Sequence, residues 1–205
     1  TKSKVLIVMS NHASAAKGEL LTKLSADKPF ELVIYRLKGK KNDEVQRDWD
    51  EASLVLLDGI NPALSKYLFA KYEKVIASID DLNIVSLGDL NNSKTNKGLS
   101  QETSRSIGEY YNNAGRYNYS QLMTYIAGEV LALNNEKAGL PKPIPNTGMY
   151  HPDLKDQISA NETEFFNWLN PKDGQVVIAM GVHRSAIDYE QQQVIDAFIR
   201  GVENK

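Results

Sequence analysis

The first ninety residues alternate between strand-like and helix-like segments, and this alternation is the strongest constraint on the fold. Apolar or β-favouring runs predict four strands, over residues 4–10, 30–37, 53–57 and 83–87. Helical patterns between them predict helices over residues 13–26, 44–51 and 62–79. Strands that alternate with helices in this way form a parallel sheet with right-handed crossovers and helices on both faces. The sequence therefore predicts an α/β fold with a flavodoxin-like or Rossmann-like sheet.

The alternation stops after residue 90. Residues 102–133 predict a long helical stretch with a joint at 112–115, where two asparagines precede Ala-Gly. Residues 142–153 are rich in proline and can form neither a helix nor a central strand. A short helix is predicted over residues 162–169. These features indicate a helical and proline-rich insertion before the last strand–helix unit.

The last strand–helix unit permits two interpretations. Its strand is predicted over residues 175–182 and its helix over 188–203. In the favoured interpretation the strand closes a flavodoxin-like sheet of order 2-1-3-4-5, because an apolar strand without a partner is costly. In the other interpretation the unit opens a second α/β domain. The predicted organisation is a head domain at 1–90, an insertion and connector at 91–172, and the final unit at 173–205.

Charge and composition exclude several classes of protein. The net charge of −2 provides no basic field for nucleic acid or anionic lipid, and the absence of cysteine excludes disulfides, thiolate metal ligands and cysteine nucleophiles. No apolar run approaches the ~18 residues that a membrane span needs. Residues 1–4 lead straight into the first strand without a visible signal peptide. We therefore expect a cytoplasmic protein; a periplasmic or membrane-associated location is the alternative if a leader was removed.

The turn after the first strand lacks a nucleotide-binding signature. Neither G-x-G-x-x-G nor G-x-x-x-x-G-K-[ST] occurs anywhere in the sequence. Ser10, Asn11 and Ser14 in this turn fit turn and N-cap positions instead. We therefore expect no cofactor to be bound by these 205 residues themselves.

The three histidines, His12, His151 and His183, lie in predicted loops or at strand ends. None has H-x-x-x-H or H-E-x-x-H spacing, so no zinc site is encoded locally. The favoured interpretation is three loop histidines whose rings are satisfied by water or backbone. A metal, haem or proton-transfer role for one of them is the alternative.

Two segments stand out for their composition. Residues 110–119 hold four tyrosines and one arginine around the helix joint, and they either cover a core or form a π-rich wall for a flat ligand. Residues 141–153 hold alternating prolines that make a stiff connector, which ends in Tyr150-His151-Pro152-Asp153. We call these last four residues the connector motif.

In this order, the two segments resemble the N-terminal part of the cobaltochelatase large subunit and the magnesium chelatase H subunit, with relatives in haem-uptake gene clusters. The likeness rests on Gly115-Arg116 and the helix after it, the Gly-x-Tyr-His-Pro-Asp end of the connector, Trp168 and Arg184. It covers most of the chain and is sharpest over residues 107–184. Members of this family are very large, so the chain is expected to be an N-terminal section or an unusually short relative.

The resemblance implies a subunit that holds a tetrapyrrole while a divalent metal is inserted, with ATP hydrolysed by separate AAA+ partner subunits. In the haem-uptake branch it implies the removal of iron from haem. The candidate tetrapyrrole or metal contacts are Tyr150, His151, Asp153, His183 and Arg184. The alternative role of the connector motif is structural, locking the connector to the next part of the enzyme. No catalytic residue is assigned, and the fragment alone is expected to be inactive.

The α/β alternation by itself also permits a non-catalytic flavodoxin-like binding or docking domain. A receiver module is one such case, and it needs an aspartate at a strand end with acidic neighbours and a later lysine. Asp58 and Asp89 do follow predicted strands, but no acidic pair follows the first strand. Modification of Asp58 by a phosphoryl donor would favour this alternative.

Overall fold

The computed structural model describes residues 3–10, 13–36, 41–58, 62–90 and 95–203. The chain divides into two compact units, Thr1–Lys142 and Pro143–Lys205. The division falls inside the middle segment that the sequence predicts over residues 91–172. Among the helices of the described ranges, none is both long and apolar enough to cross a membrane.

The first unit is built on a four-stranded parallel sheet of order β2-β1-β3-β4. Its strands are β1 (Ser3–Met9), β2 (Phe30–Arg36), β3 (Ala52–Asp58) and β4 (Asn83–Ser86). β1 and β3 lie in the middle of the sheet, and their apolar residues are buried, as continuous apolar runs require. The predicted parallel sheet is confirmed, and each strand end lies within one residue of its prediction.

Helices cover both faces of this sheet, as predicted. They are α1 (Ala15–Ser25), α2 (Asn42–Asp50), α3 (Pro62–Lys71), α4 (Glu73–Ser78), α5 (Gln101–Asn113) and α6 (Gly115–Tyr125), with a π-helical turn over Ile126–Val130. On one face, Trp49 of α2 and Tyr72 pack in a cluster with Leu57 of β3. On the other face α1 packs on the sheet, and a Cβ at Gly18 would be in ordinary contact with Ile34 of β2, at 3.5 Å.

Two details of the helices bear on the predictions. The predicted joint at 112–115 is present, because Ala114 and Gly115 both have positive φ (57° and 75°) and separate α5 from α6. The helix predicted over residues 62–79 is instead two helices, α3 and α4, which are separated at Tyr72. At this break the Tyr72 ring is buried against Trp49, with ring centroids 5.5 Å apart.

The second unit contains a short antiparallel strand pair and three helices. These are β5 (Met149–Tyr150), β6 (Ile158–Ser159), α7 (Glu162–Leu169), α8 (Ser185–Asp188) and α9 (Gln193–Glu203). A Cβ at Gly148 would lie 2.6 Å from the carbonyl oxygen of Ser159, so the close pairing of β5 with β6 favours glycine there. The helix predicted over 162–169 is confirmed, and Asn161 caps it by accepting a hydrogen bond from Glu164 N. The helix predicted over 188–203 begins only at Gln193, as α9, because the short helix α8 ends at Asp188, where the prediction begins.

The predicted strand over residues 175–182 is not formed, and this is the main correction to the sequence analysis. The segment pairs with neither sheet of the described structure, so the interpretation that it closes the first sheet is wrong. The outer edge of β4, where a fifth strand would pair, is occupied by Lys97, which exchanges two backbone hydrogen bonds of 2.9 Å with Ile84. An apolar segment forms a strand only where a neighbouring strand has an unpaired edge with which it can form backbone hydrogen bonds.

Candidate functional site

The connector motif binds one helix of the second unit through its side chains. The Tyr150 hydroxyl donates a hydrogen bond of 2.5 Å to Oδ1 of Asp196, and Nε2 of His151 lies 3.0 Å from Oε1 of Glu203. Both acceptors belong to α9. The first two residues of the motif therefore contact the helix at two positions about two turns apart.

Asp153 completes the attachment. Its two carboxylate oxygens accept hydrogen bonds from the two Nη atoms of Arg200, which is the bidentate geometry that gives the strongest carboxylate–guanidinium pairs. Arg200 also bonds Glu203 at 2.9 Å, so the guanidinium links two carboxylates. The partners Asp196, Arg200 and Glu203 are spaced i, i+4 and i+7 and lie on one side of α9. We call them the α9 polar face.

His151 is held on all sides. Its Nδ1 accepts a hydrogen bond of 3.2 Å from Asp153 N, which places the proton on Nε2, where it is donated to Glu203. The ring packs edge-on against Trp168 of α7, with centroids 4.9 Å apart, and the residue is only 6% exposed. Both ring nitrogens are thus engaged, and His151 could bind a metal only after leaving these partners.

The charges of this group reinforce one another. The hydrogen bond from Arg200 lowers the pKa of the Asp153 carboxyl below its usual value. The pKa of Glu203 is lowered by the same arginine and, to a smaller extent, by His151. Burial, followed by the hydrogen bond to Asp196, raises the pKa of the Tyr150 phenol, which therefore stays protonated as a donor. Near neutral pH the Asp153 and Glu203 carboxylates are therefore ionised and the Tyr150 phenol is protonated, as their hydrogen bonds require.

His183 and Arg184 form a different group, at the start of α8. His183 is exposed, and its Nδ1 lies 2.7 Å from Ser185 Oγ and 3.2 Å from the Ser185 backbone nitrogen. Arg184 pairs with Asp188 and donates to the backbone of the connector at Ile144 (3.3 Å). The structure therefore brings Tyr150, His151 and Asp153 together on α9, while His183 and Arg184 have other partners.

A second polar cluster lies in the first unit, at the carboxyl ends of β1 and β3. Oδ2 of Asp58 accepts hydrogen bonds from Lys17 Nζ (2.9 Å) and from the Tyr111 hydroxyl (2.7 Å). The Lys17 ammonium also lies 4.1 Å from the centre of the Tyr111 ring. Asp58 ends β3 and pairs in register with Met9 of β1, at the point where the strand order reverses. We call these three residues the strand-end cluster.

Doubly wound sheets commonly bind ligands at this switch point. Here Lys17 of α1 and Tyr111 of α5 bond to Asp58, which is only 6% exposed. This buried and hydrogen-bonded ion pair therefore has a structural role, in which it links α1, β3 and α5. His12 of the neighbouring turn lies outside the described residues. In the ranges that the structure describes, no group of three or more His, Asp or Glu side chains could hold a metal ion.

The tyrosine-rich segment packs in the interior of the first unit. Tyr110, Tyr111 and Tyr119 are buried, and the rings of Tyr111 and Tyr119 lie 5.8 Å apart. Tyr117 is more exposed and lies beneath the Lys142 ammonium at 4.2 Å. This supports the interpretation that the segment covers a core, because three of its four rings are not accessible to a flat ligand.

Comparison with known proteins relates part of the chain to a known family. A family model described as CobN/Magnesium Chelatase matches residues 108–205, which span the end of the first unit and all of the second. Over these residues the chain is similar to that family. The match includes the whole connector motif, the α9 polar face, His183 and Arg184, whereas Lys17 and Asp58 lie outside it.

A solved structure extends the likeness to the fold of the whole chain. The catalytic subunit of cobaltochelatase from Mycobacterium tuberculosis matches 100% of the chain with a TM-score of 0.57 and 16% sequence identity. The chain covers 15% of the length of that subunit. No protein among the curated ones matches. The chain therefore shares a fold with a small part of a much longer protein.

The sequence analysis missed the partners of the connector motif. Asp196, Arg200 and Glu203 look like ordinary surface charges on an amphipathic helix. The one indication in the sequence was the spacing of these three residues, which places them on one side of the predicted helix. A motif with three polar side chains can pair with three such groups. It also missed Lys17, whose partner Asp58 was considered only as a phosphoacceptor.

Proposed function

We propose that this chain is a section of the tetrapyrrole-binding large subunit of a metal chelatase. The parent protein inserts a divalent metal into a tetrapyrrole or, in the haem-uptake branch, removes iron from haem, and it works in the cytoplasm. The observation that carries the proposal is the family match over residues 108–205, which contains the connector motif that first suggested the resemblance. The metal and the macrocycle are substrates in this scheme.

The proposal assigns ATP hydrolysis to separate AAA+ subunits. It is supported by the absence of any phosphate-binding loop motif from the 205 residues. The bonds of Asp58 to Lys17 and Tyr111 at the switch point of the sheet agree with this, because they engage the polar groups of that edge with one another. We therefore propose that the chain itself binds no cofactor.

Within the parent, the connector motif is proposed to be a fastening between the connector and α9. Its support is the set of partners of Tyr150, His151 and Asp153, each of which is already bonded to an α9 side chain. Among the five candidate contacts, His183 is the one best suited to a macrocycle or its metal. Its ring is exposed, and the contacts among described residues engage only Nδ1, which leaves Nε2 for an axial bond.

The test is spectroscopic titration of the full-length parent with hydrogenobyrinate diamide, protoporphyrin and haem. A shift of the Soret or visible bands with one of the three is expected, because transfer of the macrocycle into a protein site changes its surroundings. No shift with any of the three would contradict the proposal. The assignment of roles is tested by a matched pair, His183→Ala and His151→Ala. The first should change the spectrum of the bound macrocycle, whereas the second should leave the spectrum unchanged and lower only stability.

A second candidate function is a docking head that binds the AAA+ partners without touching the macrocycle. Its support is that the first unit is a compact body with its own buried core. Deletion of residues 1–140 from the parent distinguishes the two: retained tetrapyrrole binding with lost partner association favours docking. A receiver role is opposed by the burial of Asp58 and by the lack of an acidic pair after the first strand. Incubation with acetyl phosphate should therefore leave Asp58 unmodified.

A further inference from the structure

The second unit has an inverted distribution of polar and apolar side chains around α9. The polar face of the helix points inward to the connector motif. The opposite side carries Val194, Phe198 and Val202 at i, i+4 and i+8, and all three are exposed, Val194 by 81%. We call them the α9 apolar stripe. A helix in a finished domain buries its apolar side, so this stripe lacks its cover.

Residues 176–182 also expose apolar side chains. This segment, which we call the apolar segment, reads Val-Val-Ile-Ala-Met-Gly-Val, and its large side chains are all exposed, with Val176 at 81% and Ile178 at 58%. In the described structure, none of its backbone groups takes part in a backbone hydrogen bond. An extended segment that is apolar on both faces and open on both edges has the pattern of a central strand in a parallel sheet.

We propose that the apolar segment is an interior strand of a second parallel sheet, whose other strands are supplied by a part of the same polypeptide outside these 205 residues. The α9 apolar stripe then packs on a face of that sheet. A strand followed by a helix is the first half of a right-handed crossover, which brings the chain back to a parallel neighbouring strand. This inference concerns the assembly of the domain and does not depend on whether a macrocycle is bound.

The extent of the exposed apolar surface indicates that it is covered by another part of the same polypeptide rather than by a second copy of the chain. Two copies that pair symmetrically through one strand edge would leave the other edge of each segment open. An interior strand needs neighbours on both edges and layers on both faces, which takes a substantial length of chain. The similar cobaltochelatase subunit has that length, since the present chain covers only 15% of it.

Amide hydrogen exchange tests the proposal directly, in the 205-residue chain and in the full-length natural protein. Residues 176–182 should exchange quickly in the short chain and at least about a hundredfold more slowly in the full-length protein, because strand amides become hydrogen-bonded. Residues 5–9 of β1 are the slow control and residues 173–174 the fast control in both proteins. Equally fast exchange of 176–182 in both would overturn the proposal, as would a gene whose reading frame ends shortly after the codon for Lys205.

A pair of substitutions separates the same-chain cover from a second copy. Val177→Lys should abolish the protection of residues 176–182 in the full-length protein and lower its soluble yield severalfold, while leaving the melting temperature of the short chain unchanged. Gln175→Lys, two residues earlier and also exposed, is the matched control and should change neither. A short chain that forms a stable dimer by light scattering, and that loses the dimer on Val177→Lys, would overturn the same-polypeptide assignment.

Discussion

The surroundings of the two tryptophans show how the packing of the two units differs. Trp49 lies in the first unit, fully buried among apolar side chains of the sheet and α4. Trp168 lies in the second unit, where it is 42% exposed and packs against the edge of His151. The first unit is thus held by apolar packing inside a closed core. The second is held largely by hydrogen bonds and ion pairs around α9, while much of its apolar surface faces outward.

The largest expected effect comes from the core of the first unit. Trp49→Ala should lower the free energy of unfolding by about 3–5 kcal/mol, because it removes a buried aromatic side chain and leaves a cavity. Urea denaturation followed by circular dichroism measures this loss. Trp168→Ala is the matched control and should cost less than half as much, because its ring is partly in water. Equal losses would break the contrast between the two units.

His151→Ala addresses the polar contacts of the second unit. We expect the free energy of local opening of α9 to fall by about 1–3 kcal/mol, since the substitution removes the contact with Trp168 and the His151 bond to Oε1 of Glu203, whose Oε2 keeps only Arg200. Amide exchange of residues 193–203 should accelerate accordingly. His183→Ala should leave the same amides unchanged, since His183 makes its contacts at α8. If both histidines had the same effect, the connector motif would not be a fastening.

Tyr150→Phe tests a single hydrogen bond of the same group. Removing the hydroxyl leaves Asp196 without this donor and should cost about 0.5–1.5 kcal/mol, because the rest of the ring stays in place. The same exchange measurement on α9 detects it. As a comparison, Tyr117→Phe removes a hydroxyl that donates to Leu140 O in the first unit, and it should not alter the exchange of α9. A change in both variants would indicate a general loss of stability.

Acid should weaken the polar contacts of α9 in the second unit, with the smallest effect of the four. The pKa values of Asp153 and Glu203 are lowered in the folded state, chiefly by Arg200. Their stabilisation is therefore fully present above the ordinary values of 3.8 and 4.5, and it is lost as pH falls through the lowered values. Because these groups are exposed, the contribution is modest.

A pH titration of α9 exchange between about pH 6 and 2 reveals this loss. Arg200→Gln should flatten the acid limb of the profile, since the carboxyl pKa values then return toward their ordinary range. Arg105→Gln in the first unit, an exposed substitution on α5, is the control. An acid limb that is the same in Arg200→Gln as in the unsubstituted chain would show that Arg200 does not set these pKa values.

Much of the first unit could be predicted from the sequence because its signals are local. Continuous apolar runs located β1 to β4, and Ala-Gly located the joint between α5 and α6. The bridge between Ile84 and Lys97 could not be predicted, because Lys97 lies in a polar segment without a strand pattern. That bridge occupies the edge of β4 where the predicted fifth strand would have paired.

In the second unit the sequence predicted the important residues but not their partners. Tyr150, His151 and Asp153 stood out because a proline fixes their backbone. Their partners lie about fifty residues away on a helix whose apolar pattern suggests the opposite orientation, with valine and phenylalanine inward. Periodicity identifies which residues share a side of a helix, but it does not show which side packs against the rest of the unit.

The exposed apolar surface of the second unit also has a consequence for synthesis on the ribosome. The chain is made from the first unit onward, so the core around Trp49 can close while residues 176–202 are still being added. At the usual rate of elongation these residues take roughly one to five seconds to appear. Until their cover follows, they present valine, isoleucine and phenylalanine to the tunnel exit and to any chaperone there. The order of the two units along the chain thus keeps the aggregation-prone surface hidden in the ribosome until a folded neighbour precedes it.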